Sequence, residues 1–215
     1  VGAAPIQNIG AYGCELQDCF TKLEAINLNT REKKIFTKSD CNFGYRNSIF
    51  KNELKNHFII TKVYLSLMKE KKLNLNYNGL IDKIKKKRVS IEDVRNAIIE
   101  IRRSKLPDPN HIGNAGSFFK NPIISEAHLK KIMIEHPEIP YFKKDGIKVP
   151  AAWLIEKLKW KGYKEKSCGV YNNHALIIIN HNHATGKEIT DLARNIKQDV
   201  YENFNIILEE EISII

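Results

Sequence analysis

The chain has 215 residues, 42% of them hydrophobic and 28% charged, the balance of a soluble globular protein large enough to bury a core. No apolar run approaches the roughly 20 residues that cross a bilayer as a helix, so no membrane partner is expected. The formal net charge of +10 is mostly lysine, and it comes without an RNA-binding aromatic signature, a zinc finger or a basic zipper; a basic surface suits a small anionic ligand as well as a nucleic acid.

The start, from Val1, lacks both an initiator methionine and the basic-then-apolar order of a signal peptide, which reads as truncation or processing upstream. Cys14, Cys19, Cys41 and Cys168 form no CxxC pair and fit no zinc spacing. They read as free thiols of a reducing cytosol, with no metal site.

In chain order, Val1 to Gly13 reads as a loop, with Gly2, Pro5, Gly10 and Gly13 close together. Phe58 to Leu67 alternates and is rich in branched residues, which predicts a strand. The Lys- and Asn-rich stretch that follows, ending in the run Lys85-Lys86-Lys87-Arg88, reads as exposed. Ser90 and Asp93 form a capping box for a helix over 90–104, with Val94, Ala97, Ile98 and Ile101 on one face. Two prolines in Lys105-Leu-Pro-Asp-Pro-Asn end it, and a domain boundary is placed there. Gly113 to Gly116 reads as a glycine-rich turn before Ser117-Phe118-Phe119. Ser125 caps a short helix that turns Leu129, Ile132 and Met133 inward, and Ala151 to Leu158 reads as another helix. Ala175 to Asn180 is a continuous apolar strand, Lys187 to Glu202 an amphipathic helix, and Asn205 to Ile214 a closing strand. Helices and strands mix without regular βαβ alternation, which predicts an α+β fold.

Four segments exceed what a core requires. In Pro5-Ile-Gln-Asn-Ile-Gly-Ala-Tyr-Gly13, the glycines tolerate positive φ and let backbone approach a flat or phosphorylated ligand, although a tight loop would look the same. In Cys41-Asn-Phe-Gly-Tyr-Arg-Asn-Ser-Ile-Phe50, Arg46 lies among apolar residues, and a partly buried guanidinium needs an anionic partner, in a salt bridge or in a ligand. In Gly113-Asn-Ala-Gly-Ser-Phe-Phe-Lys-Asn-Pro122, Ser117 follows a glycine-rich stretch from which a hydroxyl can project into a cavity; a turn serine is the plainer reading. In Leu208-Glu-Glu-Glu-Ile212, Glu211 is flanked by apolar residues, where a solvated strand end is the plainer reading.

Together and in this order, PIQNIGAYG, FGYRNSIF, KLPDP with GNAGSFFKNP, and LEEEI resemble the UDP-N-acetylenolpyruvoylglucosamine reductase (MurB) family over essentially the whole chain. An Asn-Tyr-Asn-Gly-Leu segment around Tyr77 is similar to the subtype with an extra substrate-covering tyrosine loop. The resemblance implies the C-terminal part of a PCMH-type FAD-binding domain over 1–108, carrying that loop. A C-terminal α+β substrate-binding domain follows over 109–204, and a strand over 205–215 returns to the flavin side. The family also carries a flavin-binding segment upstream of PIQNIGAYG, so the chain is read as N-terminally truncated.

The implied activity is FAD-dependent reduction, by NADPH, of UDP-N-acetylenolpyruvoylglucosamine to UDP-N-acetylmuramate in peptidoglycan synthesis. By resemblance Ser117 is the proton donor, and Arg46 and Glu211 stabilise the enolic intermediate, Arg46 by charge and Glu211 by a hydrogen bond when protonated. A serine is a poor acid in water and needs a dry, preorganised site for this role. Tyr77, Arg102, Lys105 and Asn121 are implied in substrate binding, with Tyr77 and Lys105 suited to a diphosphate. Ile6, Gln7, Asn8, Ile9, Gly10, Ala11, Tyr12, Gly13 and Arg46 are implied to approach the flavin. The expected protein is a cytoplasmic monomer without a nucleic-acid partner. Two positions depart from the family pattern: His174 where glutamine is frequent, and Ala151 or Ala152 where a glycine is frequent. Two other classes remain: a UDP-sugar-binding fragment without flavin chemistry, and a basic nucleic-acid binder with salt-sensitive affinity. The trio Arg46, Ser117 and Glu211 argues against both, because binding alone does not call for it.

Overall fold

The structure, a computed structural model, describes residues 2–69, 73–75, 79–84, 88–143 and 146–214. The chain divides into two compact units, Val1–Ile98 and Ile99–Ile215.

The first unit begins not as plain loop but with a 3-10 turn over Ala4–Gln7 and a hairpin of β1 (Gly10–Ala11) and β2 (Cys14–Glu15). The two residues between these strands, Tyr12 at φ 55° and Gly13 at φ 81°, have the double positive φ whose twist matches that of paired strands. Then come β3 (Phe20–Asn27), β4 (Lys33–Thr37) and β5 (Phe58–Leu65), an antiparallel sheet in the order β4-β3-β5. Phe20, Leu23, Ala25 and Phe36 turn one face of this sheet into a core completed by Cys41 and Phe50. The opposite face stays wet, and Ile35 and Ile59 are exposed on it. The polar stretch after β5 is not uniformly exposed: α1 (Leu80–Lys83) buries Leu80. Residues 85–87 of the basic run, and Tyr77, lie outside the described residues.

The helix predicted over 90–104 is α2 (Ile91–Lys105). Its capping box is formed, with the Asp93 amide donating to the Ser90 hydroxyl at 3.1 Å and the Ser90 amide donating to the Asp93 carboxylate at 3.0 Å.

In the second unit, β6 (Gly113–Ser117) replaces the predicted turn. Glycine-rich sequence reads as a turn because Gly weakens strands, but here Gly serves a bulge. Ser117 faces Ile177 and Asn114 faces Ile179, so Ala115 and Gly116 together oppose one residue, and Gly116 takes φ +75°. A small sheet follows, ordered β7-β9-β8, from β7 (Ile123–Ile124), β8 (Phe142–Lys143) and β9 (Ile147–Lys148). Around it lie α3 (Glu126–Glu135), capped by Ser125, and α4 (Ala151–Lys157). Then β10 (Lys164–Glu165), β11 (Cys168–Val170) and β12 (Ile177–Asn180) join β6 in an antiparallel sheet ordered β10-β11-β12-β6.

The long helix α5 (Gly186–Phe204), with a Thr185/Glu188 capping box, buries Leu192, Ala193, Ile196 and Val200 in the core of this unit. The closing segment is not the strand predicted over 205–214. Ile206 and Leu208 are buried and Ile207 is exposed, as in a strand, but among the described residues the segment pairs through a single bridge, Phe119 with Glu210. The fold is α+β, and among the described residues no helix is long and apolar enough to cross a membrane.

Candidate active site

In the first unit, the segments around PIQNIG and FGYRNS fold against each other. Asn8 is fully buried. Its Nδ2 donates to Glu15 Oε2 at 3.0 Å and to the Gly44 carbonyl at 3.1 Å, and its Oδ1 accepts from the Gln17 amide at 2.9 Å. Ser48, also fully buried, donates its hydroxyl to the Ile6 carbonyl at 2.6 Å. Arg46 Nη2 donates to the Gly10 carbonyl at 2.6 Å, and its guanidinium lies 5.2 Å from the Tyr45 ring centroid. These bonds satisfy polar groups that would otherwise be costly to bury.

Gly10 is required where it stands. An added Cβ would lie 2.8 Å from Glu15 Cγ, 2.9 Å from the Cys14 carbonyl oxygen and 3.3 Å from Arg46 Nη1. Arg46 itself takes φ 52°, a left-handed conformation costing a non-glycine residue about 1–2 kcal/mol that the surrounding bonds must sustain. The side chain of Asn8 is spent inside the protein, so within 6–13 the exposed residues are Ile6, Ile9, Ala11 and Gly13, with Gln7 and Tyr12 half-buried. An apolar edge with accessible backbone fits a flat ring system such as a flavin's.

In the second unit, Ser117 ends β6 and is half-buried. The bulge at Ala115–Gly116 immediately precedes it, a device that re-aims side chains. The Glu211 amide donates to the Phe118 carbonyl at 2.8 Å, and the Lys120 amide donates to the Glu209 carbonyl at 2.8 Å. Ser117 and Glu211 are thereby carried on neighbouring stretches of paired backbone. Asn121 is engaged structurally as well: its Oδ1 accepts from the Ala151 amide at 2.9 Å, capping the first turn of α4. Arg102 and Lys105 are exposed in the last turn of α2. Arg102 lines an open groove of about 480 Å³ with Arg103, Leu106, Asn114 and Gly116, beside the strand that carries Ser117.

His174 precedes β12 and accepts the Leu176 amide on Nδ1 at 3.2 Å, so the neutral ring carries its proton on Nε2. Burial, reinforced by Lys105 and Lys161 and opposed by Glu156, holds its pKa below the ordinary value, which favours that neutral form. Where glutamine would offer an amide N–H, His174 offers a ring N–H close to Lys105.

Glu15 and Ser48, which organise the first-unit cluster, are not among the residues that the sequence marks as candidates. The Glu15–Asp18 spacing of a capping box was the available signal for Glu15. Nothing local marked Ser48. Arg46 belongs to the first unit, and Ser117 and Glu211 belong to the second. Among the described residues no group of three His, Cys, Asp or Glu side chains could hold a metal ion.

Residues 108–215 match the family model for the C-terminal domain of UDP-N-acetylenolpyruvoylglucosamine reductase. The chain is 45% identical over 221 residues to the UDP-N-acetylenolpyruvoylglucosamine reductase of Flavobacterium johnsoniae, a match covering 100% of the chain and 66% of that protein. It is 46% identical over 220 residues to the reductase of the same name from Amoebophilus asiaticus, covering 100% of the chain and 65% of the relative. The crystal structure of the Thermus caldophilus enzyme shares the fold, with a TM-score of 0.61 at 22% identity over 99% of this chain and 59% of that one. The chain therefore spans just under two thirds of the length of the curated relatives it matches. Because the family model covers half of its residues, and relatives of that name align along all of it, the chain belongs to the UDP-N-acetylenolpyruvoylglucosamine reductase family.

Proposed function

We propose that this chain forms the substrate-facing part, and part of the flavin-facing surface, of a cytoplasmic reductase. The reaction is reduction, by NADPH, of the enolpyruvyl ether of UDP-N-acetylglucosamine to UDP-N-acetylmuramate in peptidoglycan synthesis. The observation that carries this reading is the pairing of the Ser117–Lys120 backbone with Glu209–Glu211, which joins a candidate proton donor to a candidate carboxyl group.

FAD, when bound, would supply the redox chemistry that moves hydride from NADPH to the enolpyruvyl methylene carbon. Ile6 to Gly13 would hold it through backbone and the apolar edge of Ile6 and Ile9. Charge then develops on the substrate beside its carboxylate, where Arg46 supplies a fixed positive charge and Glu211 a hydrogen bond. Ser117 delivers the proton to the carbon next to the carboxylate, completing the saturated ether. Arg102, Lys105, Tyr77 and the free amide hydrogens of Asn121 are proposed to orient the diphosphate and sugar.

The first test adds FAD to the purified chain, removes the excess and records the visible spectrum with and without the enolpyruvyl UDP-sugar. Retained flavin that responds to the sugar nucleotide supports both sites. A chain that binds the sugar nucleotide but retains no flavin would be a UDP-sugar-binding fragment. In flavin-loaded protein, Ser117→Ala should leave reduction by NADPH intact and abolish reoxidation by substrate. Equal loss of both half-reactions would defeat the donor assignment.

A further inference from the structure

We propose that Asn8 is a positioning residue for Arg46, holding the guanidinium in place through the Gly44–Asn47 turn and the Gly10 carbonyl. The functional arm of this inference rests on the reading of Arg46 given above; the structural arm does not.

Asn8 has no contact with solvent. Both hydrogens of its amide are donated, one to Glu15 and one to the Gly44 carbonyl, and its oxygen accepts from Gln17. An asparagine used this fully, at a φ of 44° that asparagine tolerates better than most residues, is specified by its surroundings rather than by surface chance.

What it grips is the turn that carries Arg46. Gly44 and Asn47 exchange backbone hydrogen bonds of 3.1 and 3.2 Å, closing a loop around Tyr45 and Arg46. The Gly44 carbonyl thus receives two donors, the Asn47 amide and Asn8 Nδ2. Arg46 then reaches back to the Gly10 carbonyl, two residues beyond Asn8, at 2.6 Å. Asn8 and Arg46 therefore tie the same two segments in opposite directions. Each bond fixes the geometry that the other needs.

The ties also compensate backbone strain. Arg46 sits at positive φ, and without the Asn8 bond the turn is free to relax toward ordinary φ, which would swing the side chain away from Gly10. The close fit at Gly10, where a Cβ would come within 3.3 Å of Arg46 Nη1, leaves little latitude for an intermediate placement. Ser48 reinforces the same two segments, but its hydroxyl bonds Ile6 and Phe50 rather than Gly44 or Gly10.

The test uses Asn8→Asp, which keeps the shape but turns both donors into acceptors beside Glu15, and Asn8→Ser, which keeps one donor without the added charge. In the chain as isolated, NMR reads the Arg46 guanidinium Nη–Hη signals, with the Leu23 and Phe36 amides reporting that the unit remains folded. The expected result is that at least one variant keeps the core signals while the Arg46 Hη protons move toward the free-arginine position and exchange about tenfold faster. In flavin-loaded protein, the same variant slows reoxidation by substrate about tenfold, and adding it to Arg46→Lys costs less than twofold more, because both act through one group. An unmoved Arg46 signal in a folded variant, or losses that multiply fully with Arg46→Lys, would overturn the proposal. An Arg46→Lys protein that reoxidises normally while Asn8→Asp displaces the Arg46 signal would sink the catalytic role of Arg46 and sustain the positioning.

Discussion

Leu208→Ala isolates the question of how Glu211 is held. Leu208 is 0% exposed, whereas its neighbour Ile207 is 71% exposed. Among the described residues the closing segment has no strand ladder; it is held by the Phe119–Glu210 bridge, the ion pairs Lys120–Glu209 and Lys197–Glu210, and the burial of Ile206 and Leu208 in the core of the second unit. Truncating a fully buried leucine costs about 2–5 kcal/mol in lost transfer energy and cavity formation. With so few backbone bonds, much of that cost should appear as local opening of the segment rather than global unfolding. At about 1.4 kcal/mol per tenfold, a loss of about 3 kcal/mol makes the segment open roughly 100 times more often. Amide hydrogen exchange reads this directly, because the Glu211 amide donates to the Phe118 carbonyl and the Lys120 amide to the Glu209 carbonyl. Those two amides should exchange about 100-fold faster in Leu208→Ala, with the amides of β11 and β12 less affected. Ile207→Ala should stay within about 0.5 kcal/mol of wild type. If the two variants altered Glu211 exchange equally, side-chain burial would not be what holds this segment, and the reasoning would fail.

Acidification should expose His174. Its pKa is held below the ordinary 6.5, by burial first and by Lys105 and Lys161 next, so below 6.5 the unfolded chain takes up the proton before the folded one does. Stability present above that pH is then lost as pH falls, until the folded ring is protonated too. The drop in Tm between about pH 7.5 and about pH 5.5 should be smaller in His174→Gln than in wild type, and an equal drop would remove His174 from the account. Burial pushes the Cys41 thiol up to about 12 and also raises Cys168, whereas Cys14 is exposed. A disulfide-exchange reagent should therefore label Cys14 in the folded chain and reach Cys41 and Cys168 only on unfolding. Fast labelling of Cys41 in folded protein would contradict its burial. Gly10→Ala should destabilise the chain by about 1–3 kcal/mol, because the new methyl meets Glu15 Cγ and the Cys14 carbonyl below contact distance. A neutral effect in denaturant melts would mean that the β1–β2 hairpin yields more than its bonds suggest.

The sequence by itself determined the elements whose signals are local. The capped helices α2 and α5, the Ser125 cap of α3 and the apolar run of β12 all follow from residues within a turn or two of each other. The unusual segments containing Asn8, Arg46, Ser117 and Glu211 also stood out, because their residue types exceeded what a core needs. What the tertiary structure decided was pairing. β3 and β4 put the apolar Ile26 and Ile35 on the wet face and Lys34 opposite the buried Ala25, so their alternation is weak, and only the burial of Leu23 and Phe36 in a shared core fixes them as a sheet. Gly113 to Ser117 becomes a strand because β12 presents an apolar partner and Gly116 can take a bulge's positive φ, neither of which composition reveals. The closing residues fall short of a strand because, among the described residues, they find a backbone partner at one bridge. The site follows the same division. The bonds from Asn8 to Gly44 and from Arg46 to Gly10 each span 36 positions, and the ion pair of Lys120 with Glu209 spans 89. A local pattern shows that such a residue is unusual; only the folded backbone, which sets loop closure and register together, selects its partner.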